Sequence, residues 1–199
     1  ASDARSLDQV RAAYLEQMDA IQSIGGRLII MASRALVRVA RSSDDYVQVY
    51  SDILSAADQP VILHWLGDMF DPALKGYWGA EDFARASETA LAVIRDNAAK
   101  VDGIKISLLD KDCEVAFRRQ LPPDVRMYSG DDFNYPELIA GDVHGHSDAL
   151  LGIFDPLAGI VGRAVGQLGA GDTAGFHATL NPTLPLARHI FRTPTQYYN

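Results

Sequence analysis

Two rhythms of apolar positions alternate along the chain. One repeats every three or four residues, as the buried face of a helix does. The other is a short continuous apolar run, as a strand covered on both faces requires. The first helix opens at Ser6, a side chain suited to the free amides of a first turn, with Gln9 completing a capping box. Its stripe is Leu7, Val10, Tyr14, Met18 and Ile21, and Gly25-Gly26 ends it. Residues 27–31 then read as a buried parallel strand. Ser43, Asp44 and Asp45 start a second helix, whose buried face is Tyr46, Val49, Tyr50, Ile53 and Leu54.

The cycle continues with a strand at Val61–Leu66, a helix over 81–97 and a strand over 103–108. Short helical turns at 112–119 and 135–140 flank a strand at 125–129. A strand at 149–154 precedes a helix at 157–168 and a helical region over 172–190. About five strands alternating with helices imply right-handed βαβ units on a parallel sheet. A whole (β/α)8 barrel runs to about 250 residues, so pattern alone leaves a truncated barrel and an open doubly wound sheet both standing.

With 199 residues and 48% apolar content, the chain suits a single domain spanning 1–199, closed by terminal helices from about 157. The net charge of −8 argues against a nucleic-acid partner, which needs clustered Lys and Arg. No apolar run approaches the ~18 residues of a membrane span, so no membrane partner is expected. The lone Cys113 has no internal disulfide partner, which points to a reducing cytoplasm.

Candidate chemistry collects at strand ends. In Gly103-Ile104-Lys105-Ile106-Ser107 the isoleucines face one side, while Gly103, Lys105 and Ser107 face the other. A lysine on a covered face loses affinity for its proton, and a neutral amine is what Schiff-base formation with a carbonyl needs. A lysine snorkelling from a strand end is the alternative. His64 ends another strand, where it can move protons or simply be satisfied in the core. Ser129, Asp131 and Asp132 lie in a tight turn, able to hold substrate hydroxyls, position Lys105 or cap a helix. Arg34 is a candidate for gripping a substrate carboxylate, while Arg38 and Arg41 read as solvated. His144, His146 and Asp148 are a possible zinc or iron set, but they precede their strand and so sit at the end where such folds seldom place catalysis. Tyr77 and Trp78 can form a lid or a core contact.

Gly103-Ile104-Lys105-Ile106-Ser107, followed by Tyr128-Ser129-Gly130-Asp131-Asp132, resembles the dihydrodipicolinate synthase/N-acetylneuraminate lyase superfamily of class I aldolases. Pro60-Val61-Ile62-Leu63-His64-Trp65-Leu66-Gly67 is similar to another strand of that superfamily. The resemblance covers roughly residues 25 to 190. It implies a (β/α)8 TIM barrel lacking its first three strands in this chain, and a Schiff-base lyase or aldolase acting on a 2-keto acid or related carbonyl substrate. By that resemblance Lys105 forms the imine, and His64 stands where the superfamily carries its proton-relaying tyrosine. Arg34, Ser33, Ser129 and Asp131 would bind substrate, no cofactor or metal is needed, and homo-oligomers are expected. The rival readings are a metal-dependent hydrolase or isomerase and a non-catalytic keto-acid or sugar binder.

Overall fold

The computed structural model describes residues 3–192. Five parallel strands run in the order β1 (Ile29–Met31), β2 (Val61–Leu66), β3 (Val101–Ser107), β4 (Arg126–Ser129) and β5 (Asp148–Ala149). Each strand pairs with the next in sequence and the order never reverses. Right-handed crossovers of that kind place every connecting helix on one face, so the sheet is singly wound. A doubly wound sheet needs a reversal point, and none exists among the described strands.

Ile30, Leu63, Trp65, Ile104, Ile106 and Met127 supply the helix-facing side and are buried in one core. The helices α1 (Leu7–Gln22), α3 (Ser43–Ser55) and α4 (Phe83–Asp96) cover them. All five residues expected on the inner face of α3 are buried. The opposite side of the sheet carries Ile29 and Met31 from β1, Ile62, His64 and Leu66 from β2, and Gly103, Lys105 and Ser107 from β3. Arg126 and Tyr128 continue it on β4. One sheet therefore has an oily back and a polar front, with Ile29 and Met31 45% and 47% exposed at its β1 border.

The helical starts follow their caps. Ser6 accepts from the Gln9 amide, and Asp45 accepts from the amides of Arg41 and Ser42, so α3 is capped at Ser42 and starts at Ser43 as expected, with Asp44 and Asp45 in its first turn. A short helix α2 (Arg34–Val39), capped by Ser33, lies in a stretch to which the sequence assigned no element. Arg38 is held in it by donating to the Ala4 carbonyl at 2.8 Å.

The expected strand over 149–154 is cut to two residues. After Leu150 donates one last ladder bond to the Ser129 carbonyl, the Ile153 amide donates to Asp132 and the chain bends away. Leu151 and Ile153 then pack in a second core, beneath α7 (Phe154–Gly169), α8 (Thr173–Leu180) and α9 (Leu184–Ile190). Asn181-Pro182 separates α8 from α9, because proline cannot donate to the helix ladder. Tyr77 and Trp78 are core, not lid. Trp78 holds a positive φ of 68°, kept there by rings of Tyr46, Tyr50 and Trp65 around it. No helix of the described residues is long and apolar enough to cross a membrane.

Behind β4, α5 (Lys111–Arg118) contributes a buried carboxyl. Glu114 is 1% exposed and accepts from the hydroxyls of Ser129 at 3.1 Å and Ser147 at 2.7 Å. Arg118, also buried, donates to Ser147 at 3.3 Å and pairs with Asp142 at 3.3 Å. Burial pushes the Glu114 carboxyl up to about 7, against the smaller opposing pull of the two serine hydroxyls.

Two stability measurements follow. Leu63→Ala, at a fully buried site on the central strands, loses about 2–5 kcal/mol in a denaturant melt; a loss under about 1 kcal/mol contradicts the core described. Because Glu114 holds its proton more tightly when folded, its contribution is complete below the unfolded value of 4.5 and declines as pH rises to about 7. The difference in stability between the wild type and Glu114→Gln then shifts against the wild type by about 3 kcal/mol over that window. A pH-independent difference would show the carboxyl titrating normally.

Candidate functional site

The polar front of the sheet places His64 and Lys105 side by side, as register partners on β2 and β3. Alternation along each strand does this: the apolar neighbours Leu63, Trp65, Ile104 and Ile106 must face the helices, so the residues between them face the front. His64 is 6% exposed. Its Nε2 lies 3.0 Å from Ser107 Oγ and its Nδ1 3.1 Å from Met31 Sδ. Burial, and then the nearby Lys105 charge, lower its pKa to about 3, so the ring is neutral at any ordinary pH.

Lys105 is half-buried and makes no hydrogen bond or ion pair among the described residues. Burial lowers its pKa, and the Asp132 carboxylate partly opposes that effect. Its methylene stem is fixed by Gly130, whose amide donates to the Ile106 carbonyl at 2.8 Å. A Cβ on residue 130 would sit 2.1 Å from Ser107 Oγ and 2.7 Å from Lys105 Cε. Only glycine lets the turn close this tightly over the amine. Gly103 plays a parallel part, giving the Tyr128 ring room, and the Tyr128 hydroxyl donates to Asp102 at 2.6 Å.

Asp132, 6% exposed, accepts from the Ile153 amide at 3.0 Å through Oδ1. Burial raises its pKa to about 6, with the Ile153 amide and Lys105 acting the other way and Asp131 adding to the rise.

The remaining expected substrate contacts are placed differently. Ser129 is the register partner of Ile106, so it faces the helices rather than Lys105. It donates to Glu114 and accepts from the Asp131 amide at 3.2 Å. Asp131 accepts from the amides of Phe133 and Asn134 and from the Asn134 side chain, which makes it the cap of its own turn. Both residues support the turn that carries Gly130 and Asp132. The Ser33 hydroxyl is occupied in capping α2, accepting from the Leu36 amide at 3.2 Å. Arg34 is 70% exposed and pairs with Asp71 at 2.5 Å, lining a cavity of about 380 Å³ with Tyr14, Met31, Ser33 and Leu66.

His144, His146 and Asp148 lie along a separate groove with Arg118, Arg119 and Arg126. His146 and Asp148 are 3.9 Å apart, and among the described residues no three His, Cys, Asp or Glu side chains converge to hold a metal. Sequence reasoning underweighted two members of the site. Ser107 had a signal, its shared strand parity with Lys105. Asp132 had none that separated it from Asp131, because which of two adjacent carboxylates meets Lys105 depends on how the turn folds.

Solved structures of similar fold include three that the chain matches over most of its length. A candidate dihydrodipicolinate synthetase from Pseudomonas aeruginosa is 19% identical with a TM-score of 0.71, covering 93% of this chain and 58% of that one. A monomeric dihydrodipicolinate synthase variant is 16% identical with a TM-score of 0.69, covering 96% and 58%. The 2-keto-3-deoxygluconate aldolase of Picrophilus torridus is 17% identical with a TM-score of 0.67, covering 97% and 64%. The chain therefore spans about three-fifths of the length of these structures, and the likeness is one of fold. No curated protein matches the chain. A family model matches residues 1–199 from end to end, so the chain belongs to the family described as protein of unknown function (DUF993).

Proposed function

We propose that the five strands are a contiguous arc of a (β/α)8 barrel and that Lys105 is the Schiff-base lysine of a class I aldolase or lyase acting on a 2-keto acid or related carbonyl substrate. The observation that carries this reading is the Lys105 amine: half-buried, free of any ion pair, lowered in pKa and set beside a neutral imidazole. A surface lysine serving only as a structural charge would be solvated or paired. The singly wound strand order supports the barrel, and Ile29 and Met31 are the surface that its further strands would cover.

In this reading the neutral amine attacks the substrate ketone, the resulting carbinolamine loses water, and the iminium draws electrons from the adjacent C–C bond as it is made or broken. His64 is the proton shuttle. It is too weakly basic to store a proton, so it relays one through the hydrogen bond it shares with Ser107. A substrate carboxylate arriving nearby would offset the Lys105 charge and raise the imidazole's basicity when it is needed. Arg34, beside the cavity at the ends of β1 and β2, binds a distal acidic group by exchanging its partner Asp71. Ser129 and Asp131 hold the turn, and Ser33 holds α2 in place behind Arg34.

Incubation with pyruvate and cyanoborohydride, followed by peptide mass spectrometry, tests the reading. A reduced adduct on Lys105 is expected, absent from Lys105→Ala and much slower to form in His64→Phe. No adduct on Lys105 with pyruvate, longer 2-keto acids or simple aldehydes would overturn it.

A further inference from the structure

Forming an imine requires an acid as well as an amine. The carbinolamine hydroxyl is a poor leaving group until a proton reaches it, and the residues nearest Lys105 differ sharply in what they can donate. His64 carries no exchangeable positive charge, and its ring is committed to Ser107 and Met31. The Tyr128 hydroxyl already donates to Asp102. Asp131 spends both carboxylate oxygens on three hydrogen bonds within its own turn. Asp132 is different. It follows Gly130, whose backbone lies against the end of the Lys105 side chain, and it is buried in that wall of the site. Its Oδ1 is anchored by the Ile153 amide, while Oδ2 has no hydrogen bond among the described residues. It interacts with Lys105 electrostatically without forming an ion pair, so it is not consumed as a counter-ion to the free amine.

Resting on the Schiff-base reading, we propose that Asp132 is the general acid that expels water from the carbinolamine at Lys105. The Asp132 O–H bond breaks and its proton goes to the carbinolamine oxygen. The C–O bond then breaks with its electron pair leaving on water, and the lysine nitrogen lone pair becomes the second bond of the C=N. Asp132 is left as a carboxylate facing the new iminium, which it stabilises by charge. In the hydrolytic half of the cycle the same carboxylate takes a proton from the water that attacks the iminium, and the acid is restored.

The groups that face Asp132 are Lys105, Asp131 and Tyr135. Burial holds a fraction of Asp132 protonated near neutral pH, where an ordinary carboxylic acid would be almost wholly ionised. Asp132 makes no ion pair with the free amine, and a carboxyl in contact with the ammonium would hold it charged.

The test is the rate of adduct formation on Lys105 with pyruvate and cyanoborohydride, followed from pH 5 to 9 in wild type, Asp132→Asn and Asp132→Glu. In wild type the rate should rise and then fall with pH. In Asp132→Asn it should drop at least about tenfold at pH 6, the alkaline fall should disappear, and the same final adduct on Lys105 should still accumulate. Asp132→Glu should restore part of the rate. Wild-type rate and profile in a folded Asp132→Asn would overturn the proposal. Should that variant not fold, the wild-type profile decides, since a rate that only rises with pH leaves no acid to assign. Absence of any wild-type adduct sinks the Schiff-base reading itself, while a wild-type adduct with an unaffected Asp132→Asn sinks only the acid.

Discussion

A lysine amine lying half-buried on a protein wall without a carboxylate partner is an expensive arrangement, and the front of this sheet is organised around it. Burial of an ammonium disfavours its charge, so such a side chain normally reaches water or finds an acid. Lys105 keeps only part of its surface in water and feels the Asp132 charge without pairing with it. It is kept in place by backbone: β3 fixes its direction, β2 sets His64 beside it, and the Gly130 turn closes over its stem. Holding the side chain there keeps it half-buried, and burial lowers the amine's affinity for its proton.

The polar front depends on layers behind it. The turn that carries Gly130 and Asp132 is tied by Asp131 to its own amides and by Ser129 to Glu114 on α5. Glu114 also receives Ser147, which in turn receives Arg118. A chain of four buried polar side chains thus runs from the exposed Asp142 to the loop facing Lys105. Networks of this kind stiffen a structure when each member is satisfied, and here all but the Arg118 Nε are. Asp132 contributes at both levels, since its bond to the Ile153 amide is also what ends β5 and turns the chain into α7.

Much of this architecture is legible in the sequence, and the reasons are local. Val61–Leu66 is matched residue for residue, and the buried face of α3 emerges intact, because apolar spacing there agrees with both propensity and burial. Strand parity puts Lys105 on the front of the sheet, and the place of His64 near the end of its strand brings it alongside. What escapes is tertiary. The run at 149–154 is apolar enough for a strand, yet Leu151 and Ile153 are claimed by the second core, a choice decided by helices more distant in sequence. Ser129 has the motif position of a site residue, but parity with Ile106 turns it to the back of the sheet. Arg38 is exposed, as read, and only its bond to the Ala4 carbonyl, 34 residues away, escapes the sequence.

The central claim concerns the acid–base state of one amine, and competitive labelling measures it directly. Trace acetylation of the intact protein across a pH series, read peptide by peptide, gives the titration of each lysine. Lys105 should become reactive at a lower pH than Lys111 in the same sample, Lys111 being held up by its pairing with Glu137. A Lys105 that titrates with or above Lys111 would be an ordinary charged side chain, and the account built on it would fail.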